Sequence, residues 1–193
     1  MEYVVLGWPS DGPTLRLDYR RFAYAGKFVM SNTGKAVVRD GSSDSEEFDT
    51  DVLAALAFNA DRTESDTLWY RYVTVRSDAK GEGLGPRLAV FVAPRAAKRG
   101  YERLRIAVNN PFAYEAMYKA GFEWTGRETG LAELVLERPA DASEDVLATA
   151  DSGTYQDGLD RYRERDLGEP EASFLADHVG ADPPAVVTAP RQP

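Results

Sequence analysis

Val73-Thr74-Val75, five residues of turn and then Gly81-Glu82-Gly83-Leu84-Gly85-Pro86-Arg87-Leu88 form the most telling segment of the chain. The β-branched triplet predicts the end of a strand, and the segment from Pro86 to about Arg99 predicts a helix. Between them, Gly81, Gly83 and Gly85 let backbone approach a ligand without interference from Cβ. Pro86 suits a first helical turn, where its missing N–H costs nothing. The free amides of such a helix start, at the positive end of its dipole, form an anion site. A strand, a glycine turn and a helix N-terminus together point to phosphate.

Two familiar phosphate loops do not fit. A nucleoside-triphosphate loop needs Gly-Lys-Ser/Thr, whereas Gly85 is followed by Pro86-Arg87. A dinucleotide loop needs a glycine at 86 and an acid ending the next strand, where the chain has Pro86 and Asn109.

Composition sets wider bounds. The 193 residues contain no Cys and a single His, His178. Disulfides, thiolate metal sites and Ser–His–Asp hydrolysis are thereby excluded, and no metal is expected. A reducing, cytoplasmic setting is the expectation. The beginning, MEYVVLGWPSDGP, has no basic leader with a long apolar run, and no stretch reads as a membrane span.

The net charge of −9 is unevenly placed. Residues 139–193 hold 12 acids and 4 bases, while residues 71–105 hold nine bases and three acids. A basic segment around a glycine turn suits a small polyanion. Nucleic acid fits an acidic chain poorly.

The remaining elements are read from pattern. Tyr3–Leu6, Val52–Asn59, Leu68–Val75, Leu104–Val108 and Leu131–Leu136 read as strands, and Pro111–Ala120 as a helix. Lys27–Ser31 and Lys35–Arg39 flank Asn32-Thr33-Gly34, which predicts a hairpin. Asp40 to Asp51 reads as an acidic loop without calcium-ligand spacing. Pro94 falls inside the first helix, yet Leu88, Phe91, Val92 and Ala96 keep one apolar stripe. Tyr155, Leu159 and Tyr162 share a helical face in the acidic tail, with Phe174-Leu175 beyond. The tail therefore reads as a partly helical or disordered extension (139–193), suited to a neighbouring subunit, as in a homodimer, or to a substrate cleft.

The run from Val75 through Lys80-Gly81-Glu82-Gly83-Leu84-Gly85 resembles the acetyl-CoA signature of the GCN5-related N-acetyltransferase (GNAT) superfamily. Downstream, Leu104-Arg105-Ile106, Asn110, Ala113 and Gly121-Phe122 resemble that family's second motif. The resemblance covers about residues 50–138, within a domain taken as 1–138. It implies an α/β (α+β) fold, with a mixed, mostly antiparallel sheet containing a splayed parallel strand pair, flanked by helices. It also implies acetyl-CoA as donor and an amine as acceptor.

Its cofactor positions here are Val73, Thr74, Val75, Lys80, Gly81, Glu82, Gly83, Leu84, Gly85 and Asn110, the last equally readable as a helix cap. Two family positions depart from pattern. Met117 stands where a Tyr usually meets the departing thiolate, leaving neighbouring Tyr118 as the candidate catalytic residue. Arg105 stands where some branches place a Glu base. Asp61, Glu64 and Asp66, in the turn before the cofactor strand, read as weak candidates for base or as solvated acids. Two alternatives follow: a non-catalytic acyl-CoA-binding module, and a partner-binding protein acting through its tail.

Overall fold

The computed structural model describes residues 1–41, 47–142, 147 and 150–190. Residues 42–46 of the acidic loop between Asp40 and Asp51 thus lie outside the described residues. One sheet holds seven strands: β1 (Glu2–Gly7), β2 (Gly34–Arg39), β3 (Val52–Ala60), β4 (Thr67–Val75), β5 (Arg103–Val108), β6 (Glu123–Glu128) and β7 (Leu134–Pro139). Their order is β1-β2-β3-β4-β5-β7-β6, and β4–β5 is the parallel pair among antiparallel neighbours. A parallel pair needs a crossover. Helix α1 (Leu84–Ala97) supplies it, running through Pro94 without a break. Helix α2 (Pro111–Lys119) follows β5, and the tail forms α3 (Ser152–Arg163) and α4 (Glu169–Asp177). No helix among the described residues is long and apolar enough to cross a membrane.

Strand alternation gives the sheet two apolar faces. On one, Leu68, Tyr70, Leu104, Ile106 and Leu136 pack against Leu88, Val92 and Ala96 of α1. Tyr70 is fully buried there, and its hydroxyl donates to the Ala89 carbonyl at 3.0 Å. On the other, Val37, Val52, Ala55 and Ala57 are covered by Leu15, Leu17, Phe22, Ala25 and Phe28. That covering segment has no α-helix, only a 3-10 turn at Ala25–Lys27. It is pinned by Lys35, whose buried ammonium donates to the carbonyls of Pro13 (3.0 Å), Met30 (2.7 Å) and Thr33 (2.8 Å). Burial lowers the pKa of Lys35 to about 8.

Two sequence expectations are corrected. Lys27–Ser31 and Lys35–Arg39 do not form a hairpin. β2 pairs instead with β1 and β3, and Lys27–Ser31 belongs to the coil held by Lys35. The turn signature is local, whereas Lys35 also reaches the Pro13 carbonyl, 22 residues away in sequence.

The tail faces are not presented outward either. Tyr155, Leu159 and Tyr162 are fully buried and Leu175 nearly so, all in the core beside α1 and α2. Gly158 makes this possible, because a Cβ there would sit 2.0 Å from the Tyr114 hydroxyl oxygen. β6, which the sequence reading passed over, pairs with β7 at the sheet edge.

Candidate functional site

The site begins with a bulge. Tyr72 pairs with Ala57 and Tyr70 with Phe58, so Arg71 is the extra residue of β4. A bulge bends its strand and increases local twist. The parallel ladder between β4 and β5 stops there, at Tyr70↔Ile106. Beyond it β4 stays bonded to β3 as far as Val75↔Ala54, and β5 stays bonded to β7 as far as Val108↔Leu134. The sheet therefore opens between two strands that each keep their outer neighbour. Arg76 N–H donates to Leu53 O at 2.8 Å. By alternation the backbone groups of Thr74 face β3, and those of Val73 and Val75 face the opening. That edge is available to an extended ligand, as to an added strand.

The open edge leads into the glycine loop. A 3-10 turn at Ser77–Ala79 is followed by exposed Lys80, then by Gly81 (φ +86°), exposed Glu82 and Gly83 (φ +73°). Both glycines occupy the left-handed region that costs other residues about 1–2 kcal/mol. Gly83 caps α1 without any side-chain hydrogen bond, so the amides of Leu84 and Gly85 have neither an intrahelical nor a side-chain cap partner. Gly85 sits against Val73 and Val75, which its Cβ would meet at 3.6 and 3.5 Å. This contact fixes the helix start beside the open edge. Val73 and Val75 thus lie beside the start of α1 at Gly85, while Thr74, Leu84 and Gly85 themselves are buried.

Asn110 is the N-cap of α2, its Oδ1 accepting from Ala113 N–H at 2.8 Å and its Nδ2 donating to Asn109 Oδ1. Tyr118 turns into the core between α2 and α3. It is 2% exposed, lies 4.8 Å from the Tyr155 ring, and accepts from Trp124 N–H and the Tyr114 hydroxyl. Burial raises its pKa. The tail helix α3 supplies the surface that Tyr118 packs on, and Tyr118 also lines a cleft with Gly121 and Phe122. Met117, at the family's Tyr position, is buried too.

The basic segment is spread rather than gathered. Arg95 lies over Phe91, Arg99 over Trp8 and Arg71 over Trp69, while Arg76 pairs with Asp78. Arg105 is 4% exposed and donates to Asp61, Glu64 and Glu137. Desolvation disfavours its charge, but Glu64 and Glu137 outweigh that and raise its pKa.

Burial would raise Asp61, but hydrogen bonds from Thr63 and Glu64 and the Arg105 charge bring it to about 2. Glu64 is lowered chiefly by its hydrogen bond from Arg105. Asp66 pairs with Arg103 at 2.9 Å. These acids hold arginines, and the two depressed carboxylates are poor proton acceptors at neutral pH. Among the described residues no cluster of His, Cys, Asp or Glu could hold a metal ion.

A cleft of about 420 Å³ lies beside the bulge, on the sheet face away from α1. Trp69, Arg71 and Tyr72 of β4, Asn59 and Asp61 near the end of β3, Arg62, and Lys27 and Met30 of the coil are among its lining. No local sequence pattern marks this cleft, since the bulge and the Lys35-pinned coil bring these segments together.

An opened parallel pair whose free edge runs into a glycine loop and an uncapped helix defines a class of fold, that of the GNAT superfamily, and this chain has it. No protein-family model matches the sequence, and no curated protein matches it. Solved structures do. A Lactobacillus plantarum protein assigned as an N-acetyltransferase superposes with a TM-score of 0.51 at 15% identity, over 72% of this chain and 98% of that one. Looser likenesses include nourseothricin acetyltransferase (TM-score 0.48, 17% identity, 72% and 98% covered) and Tetrahymena GCN5 (0.45, 16%, 61% and 75%). At such identities the likeness is one of fold.

Proposed function

We propose that the protein is a GNAT-type N-acetyltransferase, which moves an acetyl group from acetyl-CoA directly to an amine. The observation that supports this best is the open edge of Val73 and Val75 running into the uncapped start of α1. In this reading the pantetheine arm pairs with Val73 and Val75, and Thr74 keeps the strand in register with β3. The amides from Gly81 to Gly85 receive the pyrophosphate, with Lys80 and Glu82 at the rim, and Leu84 opens the helix. Asn110 holds the start of α2 at the far wall. Residues 1–138 carry the whole site, and residues 139–193 brace it through α3 and α4.

The thioester end reaches the bulge at Arg71, next to the cleft, where an acceptor amine has room. The amine nitrogen attacks the thioester carbonyl, the C–S bond breaks, and the nitrogen loses a proton as the thiolate gains one. Asp61 and Glu64 are held too acidic to take that proton near neutral pH, and Tyr118 is buried in the core. Water therefore carries it in this scheme. The same facts favour a second reading, a module that binds acyl-CoA without turnover.

A thiol-release assay with acetyl-CoA and a panel of amines separates the two. Amine-dependent release of CoA supports transfer. Binding of acetyl-CoA with no release above the rate without protein leaves only the binding module.

A further inference from the structure

Resting on the acetyltransferase reading, we propose that the acceptor is a small amine that also bears a carboxylate, held by Arg71 and Arg62 in the cleft beside the β4 bulge. The cleft's charge is one-sided. Lys27, Arg62 and Arg71 line it against a single carboxylate, Asp61. That carboxylate is fully engaged: its Oδ1 accepts from Thr63 N–H, Thr63 Oγ1 and Glu64 N–H, and its Oδ2 from Arg105. It is therefore a poor anchor for an incoming ammonium, and the unspent charge is positive.

Arg71 is the built element of this site. Its Nε donates to Asn59 Oδ1 at 2.6 Å and its guanidinium stacks over Trp69 at 4.5 Å, so the fork is held in one orientation. Among the described residues Arg71 faces no carboxylate within ion-pair distance, and burial disfavours its charge. Two terminal nitrogens on a fixed plane match the two oxygens of a carboxylate. Arg62, exposed at the rim, adds a second cation near the first. Trp69, Met30 and Tyr72 offer apolar wall for a side chain. The volume suits a single amino acid or a short peptide rather than a folded partner. Because Arg71 is the bulge residue itself, a carboxylate there leaves the amine beside the end of the free β4 edge, where the thioester arrives.

The test measures kcat/KM for thiol release by the full-length protein with free amino acids, the same amino acids as amides, and the corresponding amines lacking the carboxyl group. Free acids are expected to exceed both sets without a carboxylate by about 10-fold or more, the loss falling on KM, as for removal of a charge-assisted bidentate pair. Arg71→Gln should erase that preference, and the rim variant Arg62→Gln, which touches no core, should reduce it. Amides or plain amines used as well as the acids would overturn this inference while leaving the acetyltransferase reading intact. If no acceptor releases thiol, calorimetry with the CoA-saturated protein decides. An amino acid that binds where its amide does not, and is lost in Arg71→Gln, supports the anion site even though the catalytic reading has failed. Equal or absent binding of acid and amide overturns it.

Discussion

Replacing Arg105 by Met removes a guanidinium from three carboxylates while keeping most of its length and its packing near Trp69. Arg105 and Asp61 have side chains only 5% and 8% exposed, and their ion pair is 3.1 Å long. Losing one partner of a buried pair leaves a charge in a poor solvent and costs about 3–5 kcal/mol. Glu64 is 38% exposed and Glu137 21%, and Arg103 and Arg127 remain beside them, so water and these cations absorb part of the loss. The lower figure, about 3 kcal/mol, is therefore expected, which for a chain of this size lowers Tm by about 6–12 °C.

The sign of the pH dependence is a sharper check. In the parent, Asp61 is held near 2, below its unfolded value. It adds stability that is present above pH ~4 and lost as pH falls toward 2. Without Arg105 the clustered carboxylates bind protons more readily in the fold, so the variant's deficit should shrink between pH 7 and about 4. Urea unfolding at several pH values measures both effects. A deficit under about 1 kcal/mol at pH 7, or one that grows on acidification, would refute the reasoning.

Three further outcomes follow from the packing. Deleting residues 140–193 removes Tyr155, Leu159, Tyr162 and Leu175 from the core. At about 1.5–3 kcal/mol each this rivals the whole stability of a domain, so the truncated chain should show no cooperative unfolding by circular dichroism, and a well-folded truncation would contradict the account. Tyr118→Phe removes the acceptor of Trp124 N–H. It should cost about 1–3 kcal/mol in urea titrations and change turnover only a few-fold, whereas a ~10²-fold loss of turnover would return Tyr118 to the chemistry. Gly158→Leu forces a side chain into the Tyr114 hydroxyl, and should destabilise by about 1–3 kcal/mol or more.

The strand–glycine–helix unit was legible because its signals are local. β-Branched residues, positive-φ glycines and Pro86 each act within a few residues of where they stand. The parallel pair was an implication of the family resemblance, and α1 supplies its crossover. The coil over β2 and β3 was not legible, because Asn32-Thr33-Gly34 carries a turn signature whose outcome depends on Lys35 reaching the carbonyls of Pro13 and Met30. The tail's helical face of Tyr155, Leu159 and Tyr162 was legible, but its place in the core was not, because the tail's acidity lies on its outer face. Arg105 stood out in sequence as a departure from pattern, but its three carboxylates come from the turn before β4 and from β7. The cleft needed the Arg71 bulge, which leaves no local mark.

In the proposed complex, acetyl-CoA lies along Val73–Val75 with its pyrophosphate on the glycine loop. Calorimetric titration of acetyl-CoA into the parent and into Gly83→Val tests this placement most directly. Gly83 has φ +73°, a conformation that a β-branched residue adopts only at a cost, and a Cβ there would meet only Arg87 Cζ, at 3.9 Å. The substitution should therefore disturb the amide cradle without clashing with the core. The parent should bind one-to-one and the variant at least about 10-fold more weakly, with circular dichroism unchanged. No binding by the parent, or equal affinity in the two proteins, would contradict it.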